Sequence, residues 1–122
     1  MRVEYRPTVA EDLAVAVDQV LPHRIQATTV VIDGRVMGFG GIGFLPDGTV
    51  VAFVFSVPEA KNFPVAFHRA GLKTMDMIRR MGLHRVVAEA TKDNPAAERW
   101  LVRLGFEPLT VLGRTVFVWT RR

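Results

Sequence analysis

Apolar and polar positions alternate from Arg2 to Arg6, the period-two pattern of a half-buried strand. Thr8-Val9-Ala10-Glu11 then has the spacing of a capping box, in which side chains satisfy the free amides of a helix start. The helix it predicts carries Val9, Leu13, Ala16, Val17, Val20 and Leu21 on one face and stops at Pro22. Three β runs follow, residues 26–32, 35–44 and 49–57, separated by Asp33-Gly34 and Pro46-Asp47-Gly48. Asp-Gly suits the positive φ angles of a two-residue hairpin, and Pro-Asp-Gly suits a type I turn closed by glycine, so the runs form an antiparallel meander. Prolines keep 58–64 irregular. Residues 65–81 place Phe67, Gly71, Met75, Ile78 and Met81 on one helical face, with His68, Lys73, Asp76, Arg79 and Arg80 largely off it, and Gly82 ends the helix. Residues 84–90 read as a strand covered on both faces. Asn94-Pro95 then opens a helix whose inward stripe is Ala97, Trp100, Leu101 and Leu104, and Gly105 closes it. Residues 106–112 and 114–120, joined at Gly113, pair as closing strands. The predicted order is β-α-β-β-β-α-β-α-β-β, an α/β (α+β) fold on a mixed, largely antiparallel sheet in one domain spanning 1–122.

At 122 residues and 49% hydrophobic content the chain can bury one core unaided. The absence of cysteine excludes disulfide frameworks, Cys-zinc sites and thiol nucleophiles together. No run approaches the roughly 18 apolar residues of a membrane span, and the charged first residues lack the apolar core of a secretory leader. A cytoplasmic setting without membrane contact is expected. Sixteen Lys and Arg against twelve Asp and Glu give a net charge of +4. The cations are scattered, which speaks for solvated surface and against a nucleic-acid-binding block.

Gly38-Phe39-Gly40-Gly41-Ile42-Gly43 fits a dinucleotide fingerprint literally, but a turn and another strand follow it where the fingerprint needs a helix. A glycine-rich strand with a bulge or a close backbone approach is the better reading. His23, His68 and His84 have no metal-ligand spacing, so no metal is expected. Ser56, the only serine, lacks the glycines of a nucleophile elbow.

The order of elements, together with the run from Asn94 and Ala97 through Leu101 and Leu104 to Gly105-Phe106, resembles the GNAT superfamily of acyl-CoA-dependent N-acyltransferases. Arg6-Pro7-Thr8 with Glu11-Asp12 at the first junction, and Gly38 in the third strand, add to the likeness. The resemblance implies a twisted sheet whose fourth and fifth strands splay apart to admit acetyl-CoA or another acyl-CoA. It implies that the pantetheine arm pairs with the fourth strand at Phe55, Ser56 and Val57. It further places the pyrophosphate over Asn62, Phe63, Val65, Ala66 and Phe67 at the next helix start, and sets Asn94 facing the arm. The acceptor it implies is an amine, on a small molecule or a protein.

The sequence also departs from the family. The signature glycines of the phosphate loop are missing, Pro64 removes one amide donor, and Lys61 and Arg69 are the charges that could compensate. The fourth strand carries no carboxylate, and Leu101 stands where the family has a tyrosine acid. Glu89 and His68 are the remaining candidates for catalytic proton transfer, beside a plain reading of each as a surface or strand-end residue. The chain also looks like short phage-encoded GNAT-like proteins through Pro64, Phe67 and Arg69. Two functions therefore stay open: an N-acyltransferase, or a non-catalytic GNAT-like binding or structural protein with a virion partner. A homodimer paired edge to edge through 114–120 is a further expectation.

Overall fold

The computed structural model describes residues 1–16, 21, 22, 24–90 and 95–122. Its frame is a seven-stranded sheet ordered β1-β2-β3-β4-β5-β7-β6. The strands are β1 (Val3–Pro7), β2 (Arg24–Ile32), β3 (Arg35–Phe44), β4 (Val50–Ser56), β5 (Arg85–Ala88), β6 (Glu107–Val111) and β7 (Arg114–Thr120). All neighbours run antiparallel except β4 and β5.

The turns follow from the residues in them. Asp33 and Gly34 take φ of 49° and 81°, the left-handed pair that lets a two-residue hairpin match the strand twist. At the second turn the Gly48 amide donates to the Leu45 carbonyl at 3.0 Å, and the Asp47 carboxylate accepts the Thr49 amide at 2.9 Å. The register shift between Val30 and Val31 is the bulge expected of the glycine-rich β3. Close approach is the second reason for the glycines. A Cβ at Gly38 would stand 2.5 Å from the Phe55 carbonyl oxygen, and one at Gly41 would collide with the Gln26 carbonyl. β3 is thereby packed tightly against β4 at Gly38 and against β2 at Gly41.

Two helices cover one face of the sheet. The longer, α1 (Pro64–Arg80), buries Ala66, Gly71, Met75 and Ile78, and the shorter, α2 (Pro95–Arg103), buries Leu101. Under them lie Ile42, Val50, Val86, Phe106, Phe117 and Trp119 in one cluster, and Val30, Ile32 and Met37 in a second beneath the first turn of α1. Alternation turns Arg6, Thr29, Phe39, Phe53, Phe55 and Val87 to the opposite face.

Several expectations are corrected. The first helix is a 3-10 helix, Ala10–Ala16; of the rest of its predicted span, residues 17–20 lie outside the described residues and Leu21 is not helical. The capping box does not form because its donors and acceptors are used elsewhere. The Thr8 amide donates to the Ala27 carbonyl in the sheet, the Val9 amide donates to Asp12, and the Thr8 hydroxyl lies 2.9 Å from that of Thr29. A 3-10 turn, Pro58–Asn62, organises the segment expected to be irregular. Met81 is the C-cap of α1 and is exposed. β5 keeps only four residues, with Arg85 exposed, so it is not covered throughout. β7 runs between β5 and β6, with 117–120 paired to β5 and 114–118 to β6, so 114–120 is not the edge strand of the sheet.

Candidate functional site

β4 and β5 are held together by two register pairs only, Val51 with Val87 and Ala52 with Ala88. Beyond these β4 stays with β3 as far as Ser56, while β5 has ended. The strands part, and a cleft of about 660 Å³ opens between them. Ala52, Ala88, Gly71, Met75 and Trp100 line it from the helical side, and Phe53, Phe55 and Val87 from the other. It therefore passes through the sheet.

The free side of β4 can be read from its bonded side. The Val57 amide donates to the Met37 carbonyl at 3.0 Å, and a Cβ on Gly38 or Gly40 would meet the carbonyl of Phe55 or Phe53, so the odd-numbered residues point their backbone at β3. Val54 and Ser56 consequently turn their N–H and C=O groups to the gap. Val57, expected to offer its backbone to a ligand, has its amide spent on Met37, and its carbonyl accepts from Ala60 at 3.0 Å. Phe55 contributes its ring to the cleft and its backbone to β3.

At the start of α1, Phe63 is the N-cap without a side-chain cap, and Pro64 follows. The Phe67 amide donates to the Phe63 carbonyl at 3.3 Å. Since Pro64 has no N–H, the amides of Val65 and Ala66 remain without helical acceptors. Lys61, Asn62 and Arg69 are exposed around them, and neither cation is in an ion pair among the described residues. Phe63 and Phe67 pack inward on the second core cluster, so their rings do not block the helix end. Asn94 lies outside the described residues.

Three side-chain relationships are not legible in the pattern of motifs. The Tyr5 hydroxyl donates to the Ala66 carbonyl at 3.0 Å, tying β1 to the first turn of α1. Trp100 donates its indole N–H to Nδ1 of His68 at 3.2 Å. That bond engages His68 as an acceptor and joins α2 to α1. Asp12, buried at 2% exposure, accepts two bonds from Arg6 at 2.7 and 2.9 Å, one from the Val9 amide at 2.9 Å and one from the Thr29 hydroxyl at 2.8 Å. The Arg6 bonds lower its pKa to about 2 against the opposing effect of burial, and the Val9 and Thr29 bonds add to the shift. The signals for these were an inward-facing lone tyrosine on β1, and an acid directly before Leu13 of the apolar stripe of the first helix.

Glu89 lies just past the end of β5, exposed, in the wall of the cleft, with Oε1 2.6 Å from Nη2 of Arg114. Leu101 is buried in the main core.

No family model matches the sequence, and no curated protein sequence matches it. Solved structures do match over nearly the whole chain. The yncA protein of Salmonella typhimurium, with its cofactor acetyl-CoA, is 17% identical over 98% of this chain and 94% of its own, with a TM-score of 0.76. The paia N-acetyltransferase of Thermoplasma acidophilum, in complex with coenzyme A, is 11% identical over 99% and 100%, with a TM-score of 0.75. The ribosomal-protein-S18-alanine N-acetyltransferase of Escherichia coli is 15% identical over 96% and 91%, with a TM-score of 0.70. This likeness shows the fold: the chain has the GNAT architecture, with β4 and β5 as its splayed strands. No helix among the described residues is long and apolar enough to cross a membrane.

Proposed function

We propose that this chain is an acyl-CoA-dependent N-acyltransferase that moves an acetyl group to a primary amine. The observation that carries the reading is the parting of β4 from β5 after two register pairs, which leaves an unpaired strand edge along a cleft open on both faces of the sheet. An extended ligand arm can complete such an edge as an added strand, and the backbone groups of Val54 and Ser56 are the ones free to receive it. The fit continues at the end of α1. The amides of Val65 and Ala66, the helix dipole and the exposed Lys61 and Arg69 suit an anion, with Asn62 beside them. Bound acyl-CoA would supply the activated acyl thioester.

The chain's own contribution is positioning. Aligning an amine with a thioester removes much of the barrier without a strong base. Trp100 and Gly71 shape the helical wall, and Phe53 and Phe55 shape the far wall. Glu89 stands at the rim where a proton leaving the amine can pass to solvent. His68 is engaged as a hydrogen-bond acceptor by Trp100, which favours a positioning role for it over proton transfer.

A second reading, a GNAT-fold binding protein without turnover, is favoured by buried Leu101 where the resemblance puts a tyrosine acid, and by the amide that Pro64 lacks. A thermal-melt titration with acetyl-CoA, alongside free CoA and an adenosine nucleotide, tests the first requirement of the enzyme. Ligand at about 100 times its dissociation constant adds roughly 2.7 kcal/mol, so a saturable rise in melting temperature is expected. An unmoved melt at millimolar ligand removes the acyltransferase reading. Binding without turnover of any amine establishes the second.

A further inference from the structure

Among the described residues lining the cleft, Glu89 is the only one with an ionisable side chain. Alternation along β5 puts it on the face of the sheet that carries Phe53 and Phe55. Arg114, at the start of β7, reaches it there at 2.6 Å. The two side chains are 56% and 72% exposed, so their mutual attraction is well screened and either partner can be exchanged for a ligand group. Glu89 shares the cleft wall with two aromatic rings. The rings of Phe53 and Phe55 are 5.6 Å apart, half-buried, and each rests on fully buried Phe39 at 6.1 and 5.7 Å.

One anion and one cation within hydrogen-bond distance, next to an aromatic platform, complement a molecule with an ammonium, a carboxylate on the same carbon, and a large apolar side chain. We infer that the acceptor of this site is a free α-amino acid with an aromatic or large aliphatic side chain. Its ammonium meets Glu89, its carboxylate meets Arg114, and its side chain lies on Phe53 and Phe55. Other amines fit worse. A polyamine would set a second cation against Arg114, and a peptide N-terminus has no carboxylate to offer it.

The inference rests on the acyltransferase reading, and the reaction balances under it. The ammonium gives one proton to the Glu89 carboxylate and so to solvent. The freed amine nitrogen attacks the thioester carbonyl carbon, the N–C bond forms and the C–S bond breaks. The nitrogen's second proton ends on the departing sulfur as a free thiol. The products are an N-acetyl amino acid and CoA.

The test compares L-phenylalanine, L-alanine, phenethylamine and 1,4-diaminobutane as acceptors with acetyl-CoA, following thiol release. The chain has no cysteine to add background. Phenylalanine is expected to exceed alanine and phenethylamine by about tenfold or more in kcat/KM. Arg114→Gln should erase the advantage of phenylalanine over phenethylamine through KM, and Arg114→Lys should keep part of it. Calorimetric titration of phenylalanine in the presence of free CoA gives a readout independent of turnover, with binding expected for the parent protein and lost in Arg114→Gln. Equal or better use of phenethylamine or the diamine, or an Arg114→Gln effect equal on all acceptors, overturns the inference. If acetyl-CoA shifts the melt and α-amino acids neither bind nor react, this inference alone fails. If acetyl-CoA does not bind, the acyltransferase reading fails and takes the inference with it.

Discussion

The indole N–H of Trp100 donates to Nδ1 of His68 at 3.2 Å, the one side-chain hydrogen bond described between α1 and α2. It fixes the wall of a cleft that passes through the sheet. A half-buried hydrogen bond of this kind contributes about 1 kcal/mol. His68→Ala and Trp100→Phe should therefore show a coupling of about that size in a double-mutant cycle read by chemical denaturation. Additive losses would mean that the two side chains stand together without supporting one another.

The same contact depends on Gly71. A Cβ there would come within 2.9 Å of the Trp100 ring and 3.2 Å of Leu104. Gly71→Ala gains helix propensity worth up to about 1 kcal/mol but must displace the indole. Overpacking of this kind costs about 1–3 kcal/mol, so net destabilisation is expected, with weaker acetyl-CoA binding because Trp100 moves into the cleft. Denaturation and the melt titration read the two effects separately. An unchanged or raised stability would show that α2 can shift freely.

Much of this architecture is legible in the residues. Asp33-Gly34 and Pro46-Asp47-Gly48 announce the meander, Gly82 and Gly105 end their helices with positive φ, and the apolar stripe of α1 is visible at helical spacing. What is not legible depends on tertiary competition. Thr8 and Glu11 have the spacing of a cap, yet sheet pairing takes the Thr8 amide and Asp12 answers Val9. The closing strands are evident, but nothing in 114–120 says that β7 inserts between β5 and β6. At the site it is the resemblance to the GNAT superfamily, carried by the order of elements and the Asn94-to-Phe106 run, that implies the gap between β4 and β5. The partners of Glu89 and His68 come from β7 and α2, elements distant in sequence that periodicity cannot join to them.

Asp12 makes stability depend on pH in one direction. Its pKa falls from an ordinary 3.8 to about 2 in the folded chain, so folding favours the carboxylate. The contribution, on the order of 2 kcal/mol, is complete above pH 4 and disappears as pH falls from about 4 through 2. Asp12→Asn keeps the shape but loses the charge-assisted pair with Arg6. It should be less stable by about 2 kcal/mol at neutral pH and show a flatter acid limb in melts from pH 7 to 2. Parallel acid limbs for parent and variant would assign the acid loss to other carboxylates.

Tyr5 acts on the helix start from beneath. Its hydroxyl holds the Ala66 carbonyl, and Lys73 Nζ stands 5.3 Å over its ring. Tyr5→Phe keeps the ring and removes the bond, at a cost of about 1 kcal/mol in stability. Because Ala66 supplies one of the two free amides at the helix start, acetyl-CoA affinity should fall as well. A stability loss with unchanged affinity would confine Tyr5 to the core.

The helix start also decides how much of the cofactor the chain can read. Pro64 lacks an amide and the N-cap Phe63 donates its own to the Ala60 carbonyl at 2.9 Å, which leaves two backbone donors where an uninterrupted first turn would offer four. Lys61 and Arg69 must then carry much of the attraction for phosphate, as solvated point charges rather than as a fixed cradle. Such contacts are individually weak and are screened by salt. The preference for acetyl-CoA over acetyl-pantetheine, which has the arm without the nucleotide, should accordingly be modest and should shrink between 50 and 500 mM salt. Replacing both cations with alanine should remove about tenfold of that preference and most of its salt dependence, with little change for acetyl-pantetheine. Titration of both ligands into both proteins checks this. A preference that survives the double substitution would assign phosphate recognition to the Val65 and Ala66 amides alone.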